Sequence, residues 1–139
     1  MSLAARLDRM PPWAEWCALG LVLAAIWLGS SIPPAEFPDL GIFSYDKLLH
    51  LLEYLGLGSA LWLVGRRRWL PRIQARTGSA LSALLLGVVL PGALWALTDE
   101  VHQLFVGRDC SLWDWLADVA GLLLAVALVR AVERRDARP

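Results

Sequence analysis

Ionisable and amide side chains are concentrated in two stretches of an otherwise apolar chain. "DKLLHLLEYLG" begins at residue 46 and "TDEVHQLFVGRDCSLWDWLAD" at residue 98. Carboxylates and imidazoles can exchange protons or ligate a metal ion, and a guanidinium can hold a phosphate or carboxylate through two hydrogen bonds. The two stretches therefore predict a polar site that binds a ligand or acts on one, with these candidate binding residues: Asp46, Lys47, His50, Glu53, Tyr54, Asp99, Glu100, His102, Gln103, Arg108, Asp114 and Asp118.

The spacing of these residues suits helices. Residues three or four positions apart share one helical face, and three such sets occur: Asp46, His50, Glu53 and Tyr54; Asp99, His102 and Gln103; Asp114 and Asp118. Glu100 lies about 100° around the helix from Asp99, so at least one of these two carboxylates points elsewhere. The last set continues through Gly121 and Ala125, whose small size permits close helix contact.

The apolar runs predict the elements that position these sets. The chain has 139 residues, is 58% hydrophobic and has a mean hydropathy of +0.53, which is too apolar for a soluble domain of this size. Four runs, approximately 13–31, 46–65, 79–105 and 112–132, approach or exceed the roughly 20 residues that cross a bilayer. We therefore expect an all-α integral membrane four-helix bundle, formed as a single domain over 1–139. The first run is interpreted as a retained helix and not as a signal peptide.

The arginines predict the orientation of this bundle. Five arginines lie in the loop between the second and third runs, and four lie in the C-terminal tail. The first loop carries acids and no Lys or Arg. The positive-inside rule then places both termini in the cytoplasm of a multi-pass inner-membrane protein, and the three polar sets at the extracytoplasmic face. The arginine-rich loop can be a topology signal alone, or it can also grip anionic lipid headgroups. Because topology explains the basic residues, no nucleic-acid partner is expected.

Acids outnumber fixed cations in the predicted site. Six acids (Asp46, Glu53, Asp99, Glu100, Asp114 and Asp118) accompany Lys47 and Arg108, which leaves a formal charge of −4 with neutral histidines. Such an excess is costly in a low-dielectric cleft. Some acids must hold protons, a cation must enter, or some must face bulk water.

Several assignments stay open on the residues alone. His50, Glu53, His102, Asp114 and Asp118 could ligate a divalent metal such as zinc, manganese or iron, or they could form only a hydrogen-bond network between helices. The candidate catalytic residues, if there is chemistry, are His50, Glu53, Asp99, Glu100, His102 and Asp118. Arg108 could hold a phosphate or carboxylate, or pair with Asp109 or Asp114. Lys47 is expected to extend its ammonium to the interface. The two cysteines, Cys17 and Cys110, are expected to be unpaired.

At these residues the chain resembles the VanZ-like family of small bacterial membrane proteins. The resemblance is carried by "DKLLHLLEYLGLG" and "TDEVHQLFVGRDCSLWDWLADVAGLL", and the family pattern falls on Asp46, Lys47, His50, Tyr54, Gly56, Asp99, Glu100, Gln103, Arg108, Asp114, Asp118 and Gly121. The loop departs from that pattern, because it has Gly107 where the family has a Pro-Gly pair. The resemblance implies a cell-envelope role, and the founding member is linked to resistance to the glycopeptide teicoplanin.

Four functions are compatible with these observations. The cleft could bind a lipid headgroup, a cell-wall precursor or a lipophilic glycopeptide. It could hold a metal that hydrolyses or transfers part of a membrane lipid. The carboxylates could instead carry protons or cations in a transporter, for which a homo-oligomer could supply the path. Finally, the cluster could only lock the helix ends together. The residues alone do not decide whether the protein is an enzyme.

Overall fold

The computed structural model describes residues 6–33 and 43–136, with the side chains of 43–45 left aside. Most of the first connecting loop and Arg138 therefore lie outside the described residues. Within the described ranges every regular element is helical. Four helices are long and apolar enough to cross a membrane, which confirms the predicted all-α membrane bundle.

The four spanning helices begin and end close to the predicted positions. We number the helices α1 (Pro12–Ser30), α2 (Phe43–Gly65), α3 (Leu70–Thr77), α4 (Ala80–Phe105) and α5 (Leu112–Asp136). Helix α3 is the short one, and the other four are the spans. The N-termini of α2 and α5 lie together with the C-termini of α1 and α4. We call this the acidic end of the bundle, and the opposite end the basic end.

Helices α2 and α5 form the closest pair in the bundle. A methyl group on Gly121 would overlap the carbonyl oxygen of Leu51, and one on Gly58 would lie 2.7 Å from the Cβ of Ala125. The prediction that Gly121 and Ala125 permit close helix contact is therefore confirmed. This close approach brings the polar side chains of α2 and α5 within hydrogen-bonding reach.

Helix α4 contains a π-helical turn over Leu85–Val89. Such a turn holds one residue more than an α-helical turn, so it rotates the residues that follow by about 100°. The indole Nε1 of Trp69 donates a hydrogen bond to the carbonyl of Gly87, 2.9 Å away, inside this turn. The turn therefore helps to set which face of α4 the acids at its far end present.

The arginine-rich loop contains the short helix α3, which the sequence did not predict. Its Leu70 is buried and Ile73 packs against the same apolar cluster, whereas Arg72 and Arg76 are exposed. The helix ends at Gly78, whose positive φ of 68° is a conformation that glycine adopts without strain. One face of α3 is thus apolar and the other basic.

A second polar cluster, which the sequence did not predict, lies at the basic end. Glu15 has no solvent exposure, and its carboxylate lies 3.2 Å from Arg66, 3.2 Å from Arg67 and 2.6 Å from Arg68. Arg66 also contacts Asp8 at 2.7 Å. The loop arginines therefore clasp α1 to the end of α2.

Candidate functional site

The predicted polar side chains converge at the acidic end of the bundle. Most of them are withdrawn from solvent inside the membrane-spanning segments, and the buried members are His50, Tyr54, Asp99, Glu100, Gln103, Asp114 and Asp118. Buried ionisable groups in a membrane usually face the bundle interior and have partners. The contacts of each group therefore indicate which part of the cluster is already satisfied.

His50 and Asp118 form the deepest pair. Nδ1 of His50 lies 2.9 Å from Oδ1 of Asp118, which joins α2 to α5. Nε2 of the same imidazole lies 4.0 Å from Oδ1 of Asp46, one helical turn earlier. With Asp118 ionised, Nδ1 donates the hydrogen bond and the carboxylate holds the ring in place.

A chain of ion pairs lies at the surface side of this dyad. Lys47 contacts both Asp114 and Asp46, and Nη2 of Arg108 lies 3.7 Å from Oδ1 of Asp46. Lys47 thus bridges two acids, whereas the sequence predicted only that its ammonium would extend to the interface. Asp46 is a partner of Arg108 that the sequence did not single out, since Asp109 or Asp114 was expected.

The adjacent carboxylates of Asp99 and Glu100 diverge, although both are buried. Oδ1 of Asp99 accepts a 2.6 Å hydrogen bond from the hydroxyl of Ser30 on α1. Oε2 of Glu100 accepts a 2.7 Å hydrogen bond from the backbone N–H of Ser111, just before α5. The predicted angular separation therefore sends one acid toward α1 and the other toward α5.

His102 lies apart from His50. Its Nε2 is 2.9 Å from the hydroxyl of Ser31, and its ring stacks on Trp27 with 3.9 Å between centroids and 18° between planes. The two histidines therefore occupy different environments, one paired with a carboxylate and the other against α1.

A small cavity of about 40 Å³ opens among these groups. Both signs of charge line it, together with neutral hydrogen-bonding groups, and its lining residues are Gly29, Ser30, Asp46, Leu49, His50, Glu53, Asp99, Gln103 and Arg108. We call this cavity the cleft. Its volume suffices for a water molecule, an ammonium group or a metal ion.

Four buried polar atoms around the acidic end have no hydrogen-bond partner within the described part of the chain: Tyr54 Oη, Glu100 Oε1, Gln103 Nε2 and Asp118 Oδ2. Buried polar atoms in folded proteins are nearly always paired, so each such atom calls for an explanation such as a water, an ion or a ligand. Two of the four are carboxylate oxygens, which accept hydrogen bonds or bind cations.

Among the residues that the structure describes, two groups of side chains have the geometry to hold a metal ion. The first contains Asp46, His50 and Asp114, and the second His50, Glu100 and Asp118, with one ligand atom from each residue within 4.8 Å of the others. This mixture of nitrogen and oxygen donors suits zinc, manganese or iron. His50 belongs to both groups, whereas the predicted ligands Glu53 and His102 belong to neither.

The amino-acid sequence was compared with models of known protein families, and one family model matches it. The family model of VanZ/LLP1 covers residues 13–133, almost the whole chain. The chain belongs to the VanZ/LLP1 family. No curated protein and no solved structure matches it.

The VanZ/LLP1 assignment agrees with the resemblance carried by the two polar stretches. Gly107, where the expected pattern has a Pro-Gly pair, adopts a positive φ of 79°. The backbone N–H of Arg108 then donates to the carbonyl of Gln103 at 3.0 Å and closes the turn. Glycine adopts this conformation without strain, so this VanZ/LLP1 loop reverses direction and brings Arg108 back over the cleft.

Sequence reasoning missed the contribution of the first helix of this VanZ/LLP1 chain. The hydroxyls of Ser30 and Ser31 are the partners of Asp99 and His102. A methyl group added to Gly29 would lie 3.5 Å from Oε1 of Glu53. A Ser-Ser pair at the end of an apolar run was the only available signal. Hydroxyls at a helix end are too common for that signal to be specific.

Proposed function

We propose that this protein is a multi-pass protein of the inner membrane whose cleft, at the extracytoplasmic face, binds the polar head of an envelope amphiphile. The observation that carries the proposal is the cleft itself, a small mixed-charge cavity within membrane-spanning segments, lined by Glu53, Asp99 and Arg108. The orientation rests on the arginines of the basic end and the positive-inside rule.

The charges around the cleft favour a ligand with an amine. The described ion pairs engage Asp46 and Asp114 with Lys47, and Asp118 with His50. They do not include the other acids of the cluster, which are Glu53, Asp99 and Glu100. An ammonium group would supply a positive charge and up to three N–H donors to such acids, and the cavity is large enough to hold it.

Arg108 favours a phosphate beside that amine. Its guanidinium lines the cleft and lies next to Asp46 at the mouth. Guanidinium groups bind phosphate and carboxylate through paired hydrogen bonds. A headgroup that carries both a phosphate and a primary amine therefore complements the site better than an anionic or neutral head.

The three ligand kinds expected from the sequence can be ranked on this ground. A phospholipid or lipid-linked precursor presents a phosphate and can present an amine. A lipophilic glycopeptide can present an amine but no phosphate, so it would match only part of the site. A contribution to teicoplanin resistance would act through that limited contact.

Lipid preference in native mass spectrometry tests the proposal. Phosphatidylethanolamine and phosphatidylcholine have the same net charge, but only the former has N–H donors on its amine. We expect the purified protein to retain phosphatidylethanolamine over phosphatidylcholine, and Asp99→Asn to reduce that preference. Asp109→Asn, which removes an exposed loop carboxylate, is the matched control and should not change it. Equal retention of the two lipids by the wild type would refute the proposal.

The metal groups support a second candidate function, a metal-dependent hydrolase or transferase that acts on a membrane lipid. His50, Glu100 and Asp118 are all buried and offer three ligand atoms at suitable separations. A metal bound there would lower the pKa of a coordinated water and so supply a nucleophile. Glu53 and Asp99, which line the adjacent cleft, would be the candidate bases.

A further inference from the structure

A second hollow opens at the acidic end on the other side of the cluster, between α4 and α5. Its volume is about 440 Å³, roughly that of small-molecule sites in general. Its lining residues are Leu97, Glu100, Cys110, Ser111, Leu112 and Trp115. We call it the lateral groove. Leu97, Glu100 and Trp115 belong to two membrane-spanning helices, so the groove lies beside these spans at their acidic end.

The walls of the lateral groove are apolar. Leu97 and Leu112 are 53% and 67% exposed, so these side chains border the open side of the groove. Trp115 is half-buried and its indole Nε1 donates to the carbonyl of Ala93 at 3.2 Å, which leaves the ring as an apolar wall. These three side chains offer apolar contacts to a hydrocarbon chain.

One buried carboxylate interrupts this apolar lining. Glu100 is 1% exposed, and its Oε1 has no hydrogen-bond partner within the described residues. Its Oε2 is already engaged by the backbone of Ser111. An acceptor left unpaired in an apolar site is costly, so a fitting occupant carries a hydrogen-bond donor at this position.

Glu100 also connects the lateral groove to the polar cluster. One of its carboxylate oxygens lies within 4.8 Å of ligand atoms of both His50 and Asp118. The carboxylate is therefore shared between an apolar groove on one side and the dyad on the other. A molecule seated in the groove can present its polar part to the cluster without leaving the membrane.

We infer that the lateral groove holds one acyl chain of a bilayer lipid, whose headgroup donates a hydrogen bond to Glu100. The inference rests on the proposed function, since it names the tail site and the entry route of the same ligand. Apolar walls select the hydrocarbon chain, and the single buried acceptor selects a head with an N–H or O–H donor. The ligand would enter sideways from the outer leaflet.

Photo-crosslinking with a lipid tests this inference. The probe is a phosphatidylethanolamine with a diazirine on one acyl chain, and the readout is the peptide that it labels in protein reconstituted into phosphatidylcholine nanodiscs. We expect saturable labelling of segments 97–100 and 110–115 that unlabelled phosphatidylethanolamine competes away. Labelling spread evenly over all lipid-facing helices, without competition, would overturn the inference.

Two exposed leucines provide a matched pair of blocking variants. Leu97→Trp places bulk in the lateral groove, whereas Leu128→Trp places the same bulk on an exposed position, 50% accessible, at the other end of α5. Labelling should fall at least about fivefold in the first variant and stay unchanged in the second. An equal fall in both, or in neither, would contradict a tail site in the groove.

Two further outcomes separate this inference from the proposed function. If labelling stays confined to segments 97–100 and 110–115 but unlabelled phosphatidylethanolamine does not compete it away in the phosphatidylcholine nanodisc, the tail site stands and the amine-binding cleft fails. If Cys110 of two copies forms an intermolecular disulfide while lipid labelling is absent, a second copy of the chain occupies the groove and the inference is refuted.

Discussion

The imidazole of His50 and the carboxylate of Asp118 face each other at 2.9 Å between α2 and α5. Three residues beyond Asp118, Gly121 lies against the backbone of Leu51 so closely that no Cβ could fit. The dyad and the glycine contact belong together, because the side chains can meet at this distance only where the two backbones approach closely. The geometry of the site is therefore set by helix packing next to it.

Replacing Gly121 should test this dependence. Gly121→Ala forces the backbones of α2 and α5 apart, and we expect a loss of about 3 kcal/mol or more, at or above the upper range for overpacked cores. The midpoint of thermal unfolding in detergent measures it. Gly20→Ala is the control, since nothing lies within 4 Å of a methyl group there. It should leave the midpoint unchanged or raise it slightly. Equal behaviour of the two variants would show that the close contact is not formed.

The two histidines allow a matched test of metal binding. The chain contains only His50 and His102, and His50 alone belongs to the groups that can hold a metal ion. If the second candidate function is correct, Zn²⁺ or Mn²⁺ raises the unfolding midpoint of the wild type and of His102→Ala, but not of His50→Ala. Ligands that bind the native state alone stabilise it by mass action. The absence of any metal-dependent shift in the wild type would eliminate this function.

The clasp at the basic end predicts a large effect from a single buried acid. Glu15→Gln removes the carboxylate that faces Arg66, Arg67 and Arg68. We expect a loss of about 3 kcal/mol, the lower end of the range for breaking a buried ion pair, since the arginines keep 14% to 27% exposure. Reversible unfolding in mixed micelles measures this free energy.

Asp8→Asn is the control for that clasp, and its effect on stability depends on pH. Hydrogen bonding from Arg66, and next its charge and that of Arg67, lower the pKa of the exposed Asp8 below its ordinary 3.8. A lowered folded-state pKa contributes stability above the unfolded value, which is lost as the pH falls through the folded value. The small difference between Asp8→Asn and wild type should thus be constant from about pH 5 to 8. The difference should disappear as the pH falls well below the ordinary 3.8, and a difference that persists there would contradict the pairing.

Cys110 reports directly on the neighbouring Glu100. Loss of solvation, and next the charge of the Glu100 carboxylate, raise the pKa of this thiol above 9.0. Because the thiolate is the reactive form, Glu100→Gln should lower the pKa and speed alkylation of Cys110 several-fold at pH 8. The rate is measured in a Cys17→Ser background, which leaves one cysteine. Asp109→Asn should leave the alkylation rate nearly unchanged. A larger effect in Asp109→Asn than in Glu100→Gln would refute the influence of Glu100 on this thiol.

The sequence was sufficient for the spans and for the gathering of the polar sets at one end. Apolar runs of the required length leave few alternatives in a membrane, and positions such as His50 and Asp118 follow from helix spacing and chain direction. These predictions depend on local periodicity. The structure confirmed the spans within a few residues.

Features that depend on tertiary contacts could not be predicted in this way. The partnership of Ser30 with Asp99 and that of Arg108 with Asp46 each join segments far apart in the chain. The π-helical turn in α4 has no sequence signature, although it rotates every residue that follows it. Glu15 appeared as an isolated charge because its three arginine partners lie on another helix end.

The central claim is that the cleft receives the amine of a lipid headgroup, and an experimental density map tests it most directly. The protein should be purified with phosphatidylethanolamine and solved at a resolution that shows ordered waters. We predict headgroup density with its amine within about 3 Å of a carboxylate oxygen of Glu53 or Asp99. A cleft that holds only waters, with the headgroup excluded, would contradict the claim.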